Sequence, residues 1–292
     1  KYCGNPGRSG HFLSIKTGEE VYHARKRIAA FFGIEKAEQL IFTKNTTEAL
    51  NLGIKGLLRS GDHVITTSME HNSVLRPLKS LEKFGITHSV LRADRDGLLT
   101  AADIEKTIRP NTKLIIVTAA SNVTGGKMPI AEIGELAKRK GIFFMVDGAQ
   151  GAGCMPLDVA HMHIDMLAFP GHKGLLGPQG TGGFLVTDAF EKELDPLISG
   201  GTGSFSHLET VPALLPDRFE AGTLNLPGIY GLHAALGFLE ETGIDVIRAW
   251  ERALTARFLA AVAEDGRIRV AGPRTAEGRT AVVSLDFPGR DN

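Results

Sequence analysis

The strongest constraint in this chain is a pair of short apolar runs, each closing on residues that a hydrophobic core does not need. The first, Ile142 to Val146, ends on Asp147 and is followed by Gln150; the second, Met166 to Phe169, ends on Pro170-Gly171-His172-Lys173-Gly174. Both read as short strands, and in an open parallel sheet the crevice beyond the carboxyl ends of the strands is where ligands bind. Lysine is usually a solvated surface charge. Lys173, set between Gly-His and Gly-Leu-Leu-Gly-Pro, has little reason to be one.

The rest of the chain alternates strands of this kind with helices. Glu19 to Phe32 puts Val21, Ala24, Ile28 and Phe31 or Phe32 on one helical face, and Gly33 ends it. Leu40 to Thr43 is a strand that leads into a helix over Lys44 to Leu52; His63 to Thr67 and Ile86 to Leu91 are further strands, and Asp96-Gly97 is a turn. Lys113 to Thr118, apolar and β-branched, reads as a buried parallel strand, and Ile130 to Lys140 as the crossover helix that returns to the Asp147 strand. This alternation predicts an α/β fold with a mainly parallel central sheet covered on both faces. Gly182 to Thr187 reads as an antiparallel edge or the final strand, Ile229 to Ala263 as helix with a break near Gly243, and Ala281 to Phe287 as a strand. Two glycine-rich stretches, Ser199 to Ser204 and Phe219 to Asn225, fit neither a dinucleotide nor a P-loop frame, since neither follows a strand and opens a helix at the right spacing. The predicted division is an N-terminal active-site or interface loop over 1–20, a large domain over 21–225, and over 226–292 a linking helix with the incomplete beginning of a small domain. Loop-like sequence at the start and a strand at the end read as truncation at both ends.

Composition narrows the class of function. A chain of 292 residues, 42% hydrophobic, can bury a substantial core. Its 33 basic and 33 acidic residues balance, so no global field draws it to nucleic acid or an anionic membrane. No apolar run approaches a membrane span, and Lys-Tyr-Cys-Gly-Asn-Pro-Gly-Arg does not read as a secretory signal, so the expected location is the cytoplasm. Cys3 and Cys154 are too few and too far apart for a disulfide framework or a zinc site and read as free thiols. Cys154, in an apolar stretch, is read as packing. His161 and His163 alternate like a metal pair, but only Asp158 and Asp165 lie near them, and no metal is expected.

Several loop residues admit an ordinary reading and a functional one. Arg8 and His11 lie among glycines in what is either a flexible lead-in or an active-site loop. Thr46 and Thr47 open a helix whose free N–H groups and dipole suit an anion, though such residues also cap most helices. His71 follows the His63 strand and Asn122 follows the Lys113 strand, where a structural histidine and a turn asparagine are commonplace. A carboxylate able to pair with a pyridinium nitrogen, together with an amine able to form a Schiff base, is what a pyridoxal 5'-phosphate site needs, and Asp147 and Lys173 are such a pair.

Asp147-Gly148-Ala149-Gln150 followed by Ala168-Phe169-Pro170-Gly171-His172-Lys173 resembles the class V, fold-type I pyridoxal-phosphate enzymes, in the branch that contains cysteine desulfurases and selenocysteine lyases. The likeness runs from Gly4 to about Asn225. It implies a three-layer transferase fold with a partial small C-terminal α+β domain. It also implies roles: Lys173 carries the cofactor, Asp147 keeps the ring nitrogen protonated, Gln150 bonds the ring oxygen, and His71 lies against the ring. Thr46 and Thr47 would bind the phosphate with His172 beside it, and Asn122 would reach the substrate carboxylate or the cofactor edge. Lys173, His71 and Asp147 are thus the expected catalytic residues. A homodimer is implied as well, with both glycine-rich loops at its interface and Thr223 reaching the phosphate held by the other subunit. Pro170 departs from relatives that carry a phosphate-binding serine there.

Such machinery serves transamination, elimination and desulfuration alike. Three readings follow: a cysteine desulfurase or selenocysteine lyase acting on L-cysteine or L-selenocysteine, with sulfur passing through a cysteine persulfide to a possible acceptor protein; another class V aminotransferase or lyase; and a non-catalytic chain that keeps the fold. The nucleophilic cysteine and the carboxylate-binding arginine of such desulfurases fall outside this sequence, and neither Cys3 nor Cys154 lies at the matching place.

Overall fold

A computed structural model describes residues 3–7, 10–94, 96–205 and 207–290; Arg8 lies outside the described residues. Helix α1 (Phe12–Phe31) opens on His11, whose side chain accepts a hydrogen bond from the Ser14 N–H, and buries Val21, Ala24 and Ile28. The sequence places this start at Glu19, so residues 12–20 of the expected loop over 1–20 are helix. Phe12 and Ile15 are 64% and 54% exposed, and these outward apolar residues blur the amphipathic period that would have announced the first two turns.

Next come β1 (Leu40–Thr43), α2 (Thr46–Leu57), β2 (His63–Thr67), α3 (Asn72–Leu81) and β3 (Thr87–Leu91). They are followed by α4 (Ala101–Glu105), β4 (Thr112–Thr118), α5 (Ile130–Lys140), β5 (Phe143–Asp147) and β6 (Met166–Pro170). The sheet is completed by β7 (Gly182–Val186), after which run α6 (Asp188–Glu193), α7 (Leu226–Thr242) and α8 (Ile244–Ala263), with Gly243 between the last two at φ 87°. The seven strands lie in the order β1-β7-β6-β5-β4-β2-β3. β7 runs antiparallel to both its neighbours, β6 and β1, while the remaining pairings are parallel. The Gly182 strand is therefore interior rather than an edge; β1 covers it. Its all-buried sequence requires that cover.

Alternate side chains of the strands feed two cores. Ile115, Val117, Phe144 and Val146 pack on one face with residues of α1, α5 and α7. Leu114, Ile116, Met145 and Met166 pack on the other with residues of α2 and α3. At about 1.5–3 kcal/mol for each fully buried aliphatic or aromatic side chain, these two faces supply the main drive for folding. The three layers that the sequence implies are present. A separate two-stranded sheet pairs β8 (Arg269–Ala271) antiparallel with β9 (Ser284–Asp286), so the C-terminal strand expected over Ala281 to Phe287 is shorter than expected and has a partner.

Candidate active site

β1, β2, β4, β5 and β6 all point the same way, and the loops leaving their carboxyl ends converge. Register makes this specific: Thr118 pairs with Asp147, and Asp147 pairs with Ala168, two residues before Pro170. The convergence leaves a cleft with about 580 Å³ of empty space. Its lining includes Thr46, Thr47, His71, Asn122, Asp147, Gln150, His172 and Lys173. Thr223 does not reach it; exposed, it lines two neighbouring clefts instead.

Each wall has a local cause. At the start of α2, the Asn45 side chain caps the Glu48 N–H at 2.9 Å, so the cap is made by Asn45 and the threonines that follow are left for other work. The Thr46 hydroxyl is buried and has no hydrogen-bond partner. At a helix N-terminus, an unpartnered donor beside free N–H groups suits an anionic oxygen. Thr47 Oγ1 lies 2.8 Å from Ser73 Oγ, which lies 2.8 Å from His71 Nδ1, and His71 Nδ1 also accepts from the Ser73 N–H at 3.1 Å. With Nδ1 an acceptor, a neutral His71 ring carries its proton on Nε2. This link joins the helix terminus to the imidazole, and Ser73, which the sequence reading passed over, is its middle member.

Asp147 is buried and accepts from the Ala149 N–H at 2.9 Å. Burial raises its carboxyl above the usual range; that hydrogen bond and the charges of Lys173 and His71 pull the other way without offsetting it. Lys173 is exposed in the loop after β6. Its backbone is held tightly: a Cβ on Gly174 would sit 2.4 Å from the Ala152 carbonyl oxygen and 2.7 Å from Cys154 Sγ, so glycine alone fits there.

A second buried carboxyl lies behind the site. Glu70 Oε1 accepts from Thr67 Oγ1 at 2.6 Å and from the Thr118 N–H at 3.0 Å, while Oε2 has no partner. Burial pushes its pKa up to about 8, and the Asp147 charge adds to the rise. The sequence signal was an acidic residue three positions past a strand end, which is common enough to overlook. The other residues singled out from sequence take structural parts. His11 caps α1, His161 pairs with Asp158 and His163 with Glu135. Among the described residues no cluster of three metal-ligating side chains forms.

A pyridine ring, an aldehyde and a phosphate fit this cleft: Lys173 can meet the aldehyde, Asp147 the ring nitrogen, and the orphaned Thr46 hydroxyl at the α2 terminus the phosphate. The family model described as aminotransferase class-V matches residues 1–292. A probable cysteine desulfurase of Pyrococcus abyssi is 37% identical over 295 aligned positions, which cover 99% of this chain and 73% of that protein. The apo structure of the cysteine desulfurase from Thermococcus onnurineus superposes with a TM-score of 0.90 at 35% identity, covering 99% of this chain and 73% of that one. SspA, solved in complex with cysteine, has a TM-score of 0.70 at 34% identity over 79% of this chain and 64% of its own.

Proposed function

The chain belongs to the class-V aminotransferase family, and from that premise we propose that it is a pyridoxal-phosphate-dependent cysteine desulfurase, taking L-cysteine to L-alanine and passing the sulfur to a thiol. The cleft in which Lys173, Asp147 and the unpartnered Thr46 hydroxyl line a common space supports the cofactor, and the 37% identity to a probable cysteine desulfurase supports the reaction.

When bound, the cofactor supplies an electron sink for a carbanion at the substrate α-carbon. The chain's residues do the rest. Lys173 would hold the aldehyde, and its Nζ, when free, would act as the base and acid that removes and returns a proton at the substrate α-carbon. Asp147 pays for its own burial when a cationic ring nitrogen lies opposite: carboxylate and protonated ring nitrogen each favour the other's charged form. Thr46, Thr47 and the N–H groups of α2 would take the phosphate, with His172 beside it, and the Thr47–Ser73–His71 link orients the imidazole that would meet the ring. Gln150 would bond the ring oxygen and Asn122 would meet the substrate. The C–S bond of the substrate breaks as a thiolate takes the sulfur, forming a persulfide, and the carbon it leaves is protonated to give alanine. Burial pushes the Cys154 thiol up, away from the thiolate that this step needs.

The proposal extends to a homodimer in which Thr223 serves the partner's phosphate. Supporting it, Thr223 lines a cleft that the exposed apolar residues Leu197 and Ile198 also line. No helix among the described residues is long and apolar enough to cross a membrane. Two free cysteines suit a reducing compartment such as the cytoplasm. The test is to load the protein with cofactor, add L-cysteine and a thiol reductant, and measure products. Equal release of L-alanine and sulfide is expected; a 2-oxo acid instead of alanine would overturn desulfuration.

A further inference from the structure

The turn that carries Asn122 is held from outside the sheet. Residues 121–127 leave β4, and their own bonds close the turn: the Gly125 N–H donates to the Ser121 carbonyl at 3.0 Å, and the Ser121 N–H to the Gly126 carbonyl at 2.9 Å. Three successive carbonyls then face outward, and a single segment near β9 takes all three. Val123 O accepts from Ser284 Oγ at 2.6 Å, Thr124 O from Arg279 Nη2 at 2.7 Å, and Gly125 O from the Thr280 N–H at 2.9 Å. Packing leaves no slack, because a Cβ on Gly125 would lie 2.3 Å from the Val282 carbonyl oxygen.

Arg279 is the centre of this junction and an unusual one. It is only 2% exposed and the largest of the fully buried side chains. Among the described residues no carboxylate is paired with it; its guanidinium donates to the carbonyls of Pro273, Thr124 and Val282. A buried cation satisfied by carbonyl dipoles alone is costly to desolvate, and burial indeed lowers its pKa. A neutral residue could fill the volume. What the guanidinium adds is a planar fork that fixes three separate backbone strands at set distances and angles.

We infer that Arg279, with Thr280 and Ser284, is a positioning residue for Asn122, so that this part of the cleft wall is held by the β8–β9 unit in addition to the end of β4. The inference rests on the proposed function only in giving Asn122 a substrate to meet. Its reach is mechanical: the backbone of 123–125 is pinned one to three residues from the side chain that lines the cleft.

The test uses Arg279→Lys, which keeps a charge but not the fork, and Ser284→Ala, which removes a single bond and leaves the buried cation in place should the first variant fold poorly. L-alanine, added to cofactor-loaded protein and followed by the change in the cofactor's absorbance, is the binding probe. Losing charge-assisted hydrogen bonds should raise the alanine concentration for half-maximal change about tenfold in Arg279→Lys and about threefold in Ser284→Ala, with cofactor affinity within about twofold. Amide exchange at residues 123–127 should quicken in both variants. In an Asn122→Ala background, Arg279→Lys should add less than about twofold, because the two act as one unit. Unchanged exchange at 123–127, or effects of Asn122→Ala and Arg279→Lys that multiply independently, would overturn the inference. If the wild type shows no absorbance response to any amino acid, the desulfurase reading fails; exchange at 123–127 then decides the role of Arg279 by itself.

Discussion

The walls of the cleft are the ends of five strands, whereas residues 199–225, which carry Thr223, contain neither helix nor strand among the described residues. The first region inherits its geometry from a ladder of backbone hydrogen bonds, so its side chains are free for chemistry. The second is tied down by a few polar side chains. Glu220 forms a two-pronged ion pair with Arg25 at 2.8 Å for each prong, accepts from the Phe42 N–H at 2.6 Å, and is buried with its partner. Arg218 reaches Glu191 at 2.7 Å and the Leu194 carbonyl at 2.5 Å. Substitutions in the first region should therefore alter reactivity and spare the fold, and substitutions of the tethers in the second should do the reverse.

The sharpest break of that contrast would come from Asp147→Ala. Turnover should fall about a thousandfold, within the range for loss of a group that controls proton inventory, with the thermal midpoint unchanged or raised because a buried carboxyl is gone. Activity within tenfold of wild type would remove Asp147 from the chemistry. Next in size is Glu220→Ala, which strands Arg25 as a buried charge. A loss of about 3–5 kcal/mol in a denaturant titration is expected, and a loss under about 1 kcal/mol would mean that 199–225 is held by something other than this pair.

Glu70 tests the border between the two kinds of behaviour. Its folded pKa, about 8, lies above the 4.5 of an ordinary glutamate, so the native state keeps a proton that the unfolded chain releases. Its contribution to stability is present below about pH 4.5 and is lost as pH rises to about 8, a change on the order of a few kcal/mol. Glu70→Gln should flatten that slope in denaturant titrations from pH 5 to 8; an unaltered slope would show Glu70 ionised throughout. The smallest effect expected is from Thr223→Ala, about a threefold weaker binding of pyridoxal phosphate, the size of one lost hydrogen bond. It should appear only at protein concentrations that sustain a dimer, and an equal loss in dissociated chains would contradict the reach across subunits.

How much of this was legible in the sequence follows the same division. Asp147 and Lys173 could be placed because each terminates an apolar run, and parallel topology sends such ends to one edge. Thr46, Thr47, His71 and Asn122 could be placed on strand ends, but their functional reading leaned on family resemblance, since caps and turns use the same residues. α3 went unseen because it carries Pro77 inside it and starts from a loop that reads as irregular. Ser73 and Glu70 were missed for a related reason: their importance lies in partners far along the chain, Thr47 and Thr118, which no local pattern exposes. Likewise β8, three residues long, has no periodicity to detect, so β9 looked unpaired. The junction at Arg279 joins residues 155 apart and was invisible by any local rule.

The account stands most directly on where the cofactor attaches. Pyridoxal phosphate should be bound to the protein, the imine reduced with borohydride, the chain digested and the modified peptide located by mass spectrometry. A single pyridoxyl adduct on Lys173 is the predicted result; an adduct on another lysine, or none on a protein that still binds the cofactor, would contradict it.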